Sequence, residues 1–256
     1  MSKYERKRIL ITVRTYPTPA QQGIEVSCTA GMTEDGEWIR LFPVPYRFLS
    51  EDRRFRKYQW IEAGVTKASD YRPESYHVDI DSIEIVSDTL PTKSKWKERK
   101  QLLAPLVSHC FCCLKAQRDE DGFPTLGLFK PKTITEFDML PVDPNWSESE
   151  LARLRQMPLF QNAPARELEK IPFRFKYHFI CDEPTCNGHN LMCTDWELGA
   201  SYRRWRRDYG EAEWEEKFRE RFESDMMHKY DTHFFVGTLR GHPGTWIIVG
   251  LFYPKL

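Results

Sequence analysis

Three cysteines and one histidine lie close together in the last third of the chain, with the spacing C-x4-C-x2-H-x3-C. They are Cys181, Cys186, His189 and Cys193. Soft thiolates and an imidazole at this spacing can surround Zn²⁺ tetrahedrally, which is the ligand arrangement of a structural zinc site. Pro184, Asn187 and Gly188 favour turns that bend the chain so that its ligands converge. The sequence therefore predicts a structural zinc centre. The alternative is that Cys193 is a core residue and that the other three belong to a turn without metal.

A catalytic role for the same segment is a second hypothesis. His189, Asp195 and Glu197 fall within nine residues, and a metal with only three protein ligands keeps a position at which water can be activated. Asp195 and Glu197 are then the candidate catalytic residues of a metal-dependent hydrolase or nuclease. Acidic residues in a first helical turn also favour the helix dipole, and Asp195 is a good N-cap. The sequence contains no Gly-rich phosphate loop, G-x-S-x-G elbow or H-E-x-x-H motif, so no familiar enzyme class is indicated. An unfamiliar enzyme is not excluded, and the sequence leaves open whether the chain is one.

The other cysteines are predicted to be structural. Cys110, Cys112 and Cys113 lie in a helical pattern with no further ligands at a metal-site spacing, so we expect them to pack in a helix core. Seven cysteines, an odd number found mostly in two clusters, are typical of a reducing cytoplasm. No apolar run approaches the length of a membrane span and no signal peptide is visible. These features favour a cytoplasmic protein without a membrane partner.

The charge balance requires any basic surface to be local. Lys plus Arg and Asp plus Glu both number 38, so the net charge is zero and no global field attracts nucleic acid. Basic and aromatic residues are nevertheless interleaved, as in proteins that stack bases and bind the phosphates of single-stranded DNA or RNA. The candidate contacts are Trp38, Arg40, Arg174, Lys176, Arg203, Arg204 and Arg207. A further basic run is 93–100. The alternative is that these side chains face solvent and are neutralised by neighbouring acids.

The first third of the chain has the element order of an OB-fold barrel. Strand patterns at 8–14, 25–32 and 37–43 precede a short helical piece at 46–52, and two more follow at 58–66 and 75–86. Asp35-Gly36 between two of these runs is a strong hairpin signal. We therefore predict an OB-like β barrel over residues 1–90.

The remaining residues, 91–256, are predicted to form an α/β region, either as a second domain or in one continuous domain with the barrel. The pattern is helical at 93–117, and Ser147 with Glu150 forms a capping box for a helix that ends before Pro158. Alternating aromatic and basic residues at 173–179 predict a strand that leads into the cysteine–histidine segment. A helix broken at Gly210 and a closing hairpin follow. The fold class is therefore α+β, with an N-terminal barrel, a helical middle and a zinc-clipped C-terminal α/β segment.

Segments in both halves of the chain resemble an uncharacterised family of bacterial and mobile-element proteins. The residues that carry the resemblance are Thr15-Tyr16-Pro17, Cys28-Thr29-Ala30-Gly31, Trp38-Ile39-Arg40-Leu41-Phe42-Pro43-Val44-Pro45, Cys181, Cys186-Asn187-Gly188-His189, Asp195-Trp196-Glu197 and Gly250-Leu251-Phe252-Tyr253-Pro254. The resemblance implies no activity. It implies that the whole chain is one evolutionary unit, and that Cys193 matters less than Cys181, Cys186 and His189.

The function favoured by these observations is that of a nucleic-acid-associated binding or accessory protein with a structural zinc site. The metal-dependent hydrolase or nuclease is the first alternative. The second is a protein-interaction subunit of a bacterial complex, whose aromatic surfaces meet a protein partner.

Overall fold

The computed structural model describes residues 4–20, 25–155 and 167–256. The strands are β1 Glu5–Arg14, β2 Thr18–Pro19, β3 Glu25–Thr33, β4 Trp38–Val44, β5 Trp60–Lys67, β6 Ser75–Val78, β7 Glu84–Ile85, β8 Val107–Ser108, β9 Leu126–Phe129, β10 Thr133–Pro141, β11 Phe173–Ile180, β12 His189–Cys193, β13 His233–Leu239 and β14 His242–Phe252. The helices are α1 Lys93–Leu103, α2 Phe111–Asp121, α3 Glu148–Leu154, α4 Trp196–Arg219 and α5 Asp225–His228. Within these described ranges, no helix is both long and apolar enough to cross a membrane.

The chain divides into two compact units. The first unit contains Met1–Leu90 and Asp143–Pro172, and the second contains Pro91–Val142 and Phe173–Leu256. The sequence predicts that residues 143–172 belong to the second region, whereas the described residues among them, 143–155 and 167–172, group with the first unit. One contact that holds them there is the Tyr16 hydroxyl, which donates to the Glu169 carbonyl at 2.9 Å. The predicted end of a helix before Pro158 lies outside the described residues. Its start is confirmed, because Ser147 and Glu150 form the capping box of α3.

The first unit contains a closed β barrel with OB-like topology. Its strand order is β1-β3-β4-β6-β5, and β5 pairs back with β1. The β4 and β6 pair is parallel, whereas the other neighbours are antiparallel. Two short 3-10 turns lie between β4 and β5, where an OB fold has its helix. The structure therefore confirms the N-terminal barrel and the mixed α+β architecture.

Two local features shape this barrel. The Asp35-Gly36 turn joins β3 to β4, and Gly36 has a φ of 81°, which is the left-handed conformation that glycine adopts without strain. Gly31 lies where β1 and β3 come very close together, because a Cβ there would be 2.0 Å from the Leu10 carbonyl oxygen. The barrel interior is filled by aliphatic side chains of alternate strand positions, including Ile9, Ile11, Ile39, Leu41, Ile61, Ala63 and Val65.

The second unit repeats the same topology, which the sequence analysis did not predict. Its sheet runs β10-β11-β12-β14-β13-β9-β8. As in the first barrel, the third and fifth strands along the chain are parallel when β9 and β10 are counted as one strand; here they are β12 and β14. A helix, α4, follows the third strand. β9 pairs with β13. The chain then continues through Lys130–Lys132 into β10, which pairs with β11. Together β9 and β10 therefore act as the first strand of a second OB-like sheet. This corrects the expectation of an α/β segment.

Aromatic side chains fill the core of the second unit. On β11, Phe175, Tyr177 and Phe179 are buried and alternate with more exposed basic residues, as the sequence predicts. Phe175 stacks on Phe218, which follows the break in α4 at Gly210, and Phe179 packs against Phe234 of β13. The Tyr177 hydroxyl donates to the Phe222 carbonyl at 2.6 Å. That carbonyl lies in a π-helical segment, Glu220–Ser224, whose wider turn leaves backbone groups in need of other partners.

Asp231 in the second unit forms ion pairs with two lysines, and this arrangement predicts a pH-dependent contribution to stability. Its carboxylate lies 2.8 Å from Lys100 Nζ and 2.6 Å from Lys130 Nζ. Burial acts to raise the pKa of Asp231, but the two ammonium groups outweigh it and hold the pKa at about 2. The folded-state pKa is below the unfolded one, so the stabilisation is present above about pH 4 and is lost as the pH falls towards 2.

We therefore expect Asp231→Asn to lower the melting temperature at pH 7 by about 3 °C, which corresponds to about 1 kcal/mol for a pair of partly solvated lysines. Melting curves of both proteins between pH 7 and pH 3 check this, because the difference should shrink as the pH falls below about 4. Asp121→Asn is the matched control, since Asp121 is exposed and has no ion pair within the described ranges. A difference that stays constant with pH would contradict the assignment.

Candidate metal centre

Four side chains of the second unit converge on one point. They are Cys112, Cys181, Cys186 and His189, and their ligand atoms all lie within 4.8 Å of one another. His189 Nε2 is 3.1 Å from Cys112 Sγ and 3.4 Å from Cys186 Sγ. In a tetrahedral zinc site with ordinary bond lengths, sulfur and nitrogen ligands stand about 3.6 Å apart. The cluster therefore has the composition and nearly the spacing of a Cys3His metal site.

Three of the four residues lie in the turn between β11 and β12 or directly after it, at the start of β12. Cys181 follows β11 directly, and its N–H donates to Cys186 Sγ at 3.3 Å. Cys186 is held by a tight turn in which its own N–H donates to the Glu183 carbonyl at 2.9 Å. Gly188 has a φ of 88°, and this left-handed residue redirects the chain into β12 at His189. The predicted turn residues thus bring Cys181, Cys186 and His189 together.

The fourth residue, Cys112, comes from the first turn of α2. The sequence analysis assigned it to a helix core, and the structure corrects this, because Cys112 is half-buried and its sulfur faces His189. The imidazole is held between two rings, with its centroid 4.8 Å from that of Phe111 and 5.2 Å from that of Phe179. These ring contacts hold the imidazole in an orientation in which Nε2 faces the sulfurs.

Burial and neighbouring groups shift the pKa values of the three thiols and of the imidazole. Burial, with hydrogen bonding to Cys186, raises the pKa of Cys112 to about 12, and burial also raises the pKa of Cys181. Burial opposes ionisation of Cys186 too, but N–H groups of Cys181 and Gly188 point at its sulfur and lower its pKa. Burial and the charge of Lys115 lower the pKa of His189, which favours its neutral, metal-binding form. A divalent cation would stabilise the thiolates directly.

Cys193, the fourth ligand predicted from the sequence, is not part of this cluster. It lies at the other end of β12, opposite Phe175 of β11 and Ile248 of β14, and is 3% exposed. It is four positions along the strand from His189, which corresponds to about 13 Å along an extended chain. Cys193 has the position of a core residue.

Asp195 and Glu197, the candidate catalytic residues, have structural partners. Asp195 is 1% exposed, and its two carboxylate oxygens accept hydrogen bonds from the N–H groups of Glu197 and Leu251, both at 2.7 Å. It is the N-cap of α4, as predicted, and it also ties the helix to β14. The Glu197 carboxylate accepts a hydrogen bond from the Tyr253 hydroxyl. Neither residue belongs to the metal cluster.

We therefore expect Asp195→Ala to destabilise the fold without changing the metal content. Loss of the cap and of a buried acceptor for Leu251 N–H should lower the free energy of unfolding by roughly 2–4 kcal/mol. Asp195→Asn retains one acceptor oxygen and should lose less. Denaturant titration gives the free energies, and metal analysis of the folded fractions gives the content. Loss of metal from folded Asp195→Ala protein would place Asp195 in the metal centre and contradict its structural role.

Two family models match the chain, and they meet near residue 106 rather than where the two compact units divide. Residues 5–105 match a family described as "Domain of unknown function (DUF8758)". Residues 107–256, more than half of the chain, match a family described as "Domain of unknown function (DUF8757)". The chain belongs to the DUF8757 family. The DUF8757 match contains all four residues of the metal cluster. A search of curated proteins finds no match to the chain.

Solved structures can be aligned with almost the whole DUF8757 chain, but only loosely. A murine DNA-binding protein bound to double-stranded DNA aligns with a TM-score of 0.33 and 10% identity, covering 98% of this chain and 95% of that one. The tetrameric p202 HIN2 aligns with a TM-score of 0.33 and 8% identity, covering 99% of this chain and 93% of that one. Similarity at this level carries no conclusion about fold or function.

The basic and aromatic residues predicted to contact nucleic acid differ in their exposure and in their partners in this DUF8757 chain. Arg40 is 2% exposed and is paired with Glu74 at 3.2 Å, and Trp38 is half-buried. On α4, Arg204 and Arg207 share Asp208 at 3.2 and 3.0 Å, and Arg203 is half-buried. These arginines therefore have carboxylate partners or limited exposure.

The basic face of β11 also carries acids from its neighbour β10. Lys176 is opposite Asp138 in the strand register, and His178 Nε2 is 2.8 Å from the Asp138 carboxylate. Arg174 is exposed and has no carboxylate partner within the residues that the structure describes. The charge on this face is therefore mixed.

A different group of cations is exposed and unpaired. Lys93, Lys95 and Lys97 at the start of α1 are exposed, and none of them has a carboxylate partner in the described part of the chain. We call the segment Lys93–Lys97 the lysine turn. Ser94, Lys95 and Trp96 all have positive φ, between 52° and 60°, a left-handed conformation that costs about 1–2 kcal/mol for each residue that is not glycine. Trp96 anchors the turn, with its ring 5.4 Å from those of Phe252 and Tyr253.

Proposed function

We propose that the chain is a nucleic-acid-associated protein of two OB-like units, the second of which is stabilised by a structural Zn²⁺ centre. The observation that carries the metal assignment is the convergence of Cys112, Cys181, Cys186 and His189 within 4.8 Å. Three sulfurs and one imidazole nitrogen are the ligand types that favour zinc over magnesium, calcium or manganese.

A structural role for the metal follows from the number and origin of the ligands. Four protein ligands complete a tetrahedron and leave no position for water or substrate. The ligands join the β11–β12 turn to the first turn of α2, so the metal would fix two segments that lie far apart in the sequence. Because such a site does not exist in the unfolded chain, the free energy of metal binding contributes to folding.

Nucleic-acid association is supported by the lysine turn and by the topology of both units. OB folds bind oligonucleotides or oligosaccharides in many proteins, although the fold alone does not determine the ligand. An exposed ammonium group without a carboxylate partner can contact a phosphate, and each such contact releases counterions, which favours binding. The strained backbone of the lysine turn holds three such groups on one short segment, anchored by Trp96.

The hydrolase alternative has less structural support than the structural zinc site. Asp195 and Glu197 both hold other parts of the second unit together, and the four-ligand cluster has no open position. Among the described residues, the exposed large apolar side chains are far apart in sequence, and single exposed apolar residues are ordinary on protein surfaces, so they give a protein-interaction role no particular support.

Two measurements on the purified full chain test the proposal. Metal analysis by plasma mass spectrometry should find about one zinc per chain in protein purified without added metal. Fluorescence anisotropy with labelled single-stranded DNA, single-stranded RNA and duplex DNA should show binding that weakens steeply with salt. Absence of zinc would remove the metal centre, and absence of salt-dependent binding to all three probes would remove the nucleic-acid role, each independently of the other.

A further inference from the structure

A second group of metal-ligand residues lies beside the first. Cys110 and Cys113 form a disulfide, and a carboxylate oxygen of Glu183 lies within 4.8 Å of both sulfurs. Cys110 is buried, whereas Cys113 and Glu183 are half-buried. Two thiolates and a carboxylate are all ligands that Zn²⁺ accepts. The same two sulfurs can therefore be joined to each other or bind a metal, but they cannot do both.

The backbone places the sulfurs of Cys110 and Cys113 next to each other at the start of α2. Cys110 is the N-cap of α2, and its sulfur accepts a hydrogen bond from the Cys113 N–H at 3.0 Å. The C-x2-C spacing at a turn is also the usual way in which two cysteines bind one zinc.

Glu183 belongs to the loop that already supplies two ligands to the first centre. It lies between Cys181 and Cys186, and its carbonyl accepts the hydrogen bond that forms the Cys186 turn. Cys112 of the first centre likewise lies between Cys110 and Cys113. The two groups therefore use the same two segments, the first turn of α2 and the β11–β12 turn, and one centre helps to position the ligands of the other.

We propose that Cys110, Cys113 and Glu183 form a second zinc site that is available only when the disulfide is reduced. The reductant is a thiol compound. Two of its molecules exchange with the disulfide, giving two cysteine thiols and one disulfide of the reductant. Zn²⁺ then binds both sulfurs and the carboxylate, and the two thiol protons pass to solvent. A water molecule completes the coordination. Oxidation of the two cysteines by a disulfide compound reverses these steps and releases the metal.

The test is the number of zinc ions per chain in the two redox states. One sample is reduced with dithiothreitol under nitrogen, desalted and loaded with Zn²⁺, and the other is loaded without reduction. We expect about two zinc ions per chain in the reduced sample and about one in the unreduced sample. Thiol titration in denaturant after metal removal verifies the states, because all seven cysteines of the chain react only when the disulfide is absent.

Variants identify the ligands. Cys113→Ser should bind about one zinc in both states, because only the second site is lost. Glu183→Gln keeps the fold of the loop and should weaken the second zinc about tenfold or more while the first stays bound. Cys28→Ser is the control and should match the unmodified chain, since Cys28 belongs to neither group.

If the reduced chain, in which all seven thiols react, binds only one zinc ion, the second site is overturned and the first stays intact. Undiminished affinity in Glu183→Gln would overturn the ligand set. No zinc in either state would instead contradict the structural centre described under the proposed function, so the two failures are distinguishable.

Discussion

Replacing Cys112 by serine should remove the bound zinc and lower the melting temperature by about 10 °C. The change deletes one of four ligands, and a serine hydroxyl is a poor substitute because it remains protonated at neutral pH. Of the two cysteines that remain, Cys181 has a pKa that burial raises, so its metal-binding thiolate form is disfavoured once one ligand is lost. We assign on the order of 3–5 kcal/mol to the lost metal, and each kcal/mol corresponds to about 2–4 °C for a protein of this size.

Cys193→Ala is the informative control for this prediction. The spacing C-x4-C-x2-H-x3-C selects Cys193 as the fourth ligand, whereas the structure has Cys112 beside His189. Cys193→Ala should keep about one zinc and lose about 1 kcal/mol through poorer packing of a buried side chain. Both variants are measured with the Cys110–Cys113 disulfide intact, by metal analysis and thermal unfolding. Full zinc content in Cys112→Ser together with none in Cys193→Ala would show that the ligand predicted from the sequence is the correct one.

The reason that sequence analysis selects Cys193 and not Cys112 is local. Cys181, Cys186 and His189 are close in sequence and share a loop, so their spacing is sufficient to predict that they meet. Strand β12, which runs from His189 to Cys193, shows little alternation of polar and apolar residues, so its sequence does not indicate a strand. Without that strand, nothing in the sequence shows that Cys193 lies away from the cluster. Cys112 lies far upstream and is brought there by tertiary packing of α2. The only local signal was a run of cysteines at a helix start.

The two units differ in how far their folds could be predicted. In the first barrel each strand corresponds to a separate run of apolar and β-branched residues, and Asp35-Gly36 marks a hairpin, so the order of the elements can be predicted from the sequence. In the second unit the first strand is divided by Lys130–Lys132 into β9 and β10, which pair with different neighbours. The third strand, β12, is short and contains metal-ligand residues rather than an alternating pattern. Repetition of the topology is therefore visible only in the pairing of strands.

Replacing Lys93, Lys95 and Lys97 together by alanine should weaken binding to single-stranded DNA or RNA by about 10–100-fold at low salt. Each lysine that contacts a phosphate releases about 0.7 of a counterion from a single strand, so the slope of log affinity against log salt should fall by about 2. The measurement is anisotropy over a series of salt concentrations. Trp96 is left in place because its ring contacts Phe252 and Tyr253 and anchors the lysine turn.

The matched control for the lysine turn is Arg204→Ala with Arg207→Ala. The sequence predicts phosphate contacts for these arginines, but they share the single carboxylate of Asp208, so the three side chains together carry one net positive charge, against three for the lysine turn. The control should change affinity by less than about threefold and leave the salt slope almost unaltered. An equal effect of both variants would mean that binding follows net charge rather than this surface. A larger effect of the arginines would transfer the interface to α4, and it would imply that nucleic acid competes successfully with Asp208 for them.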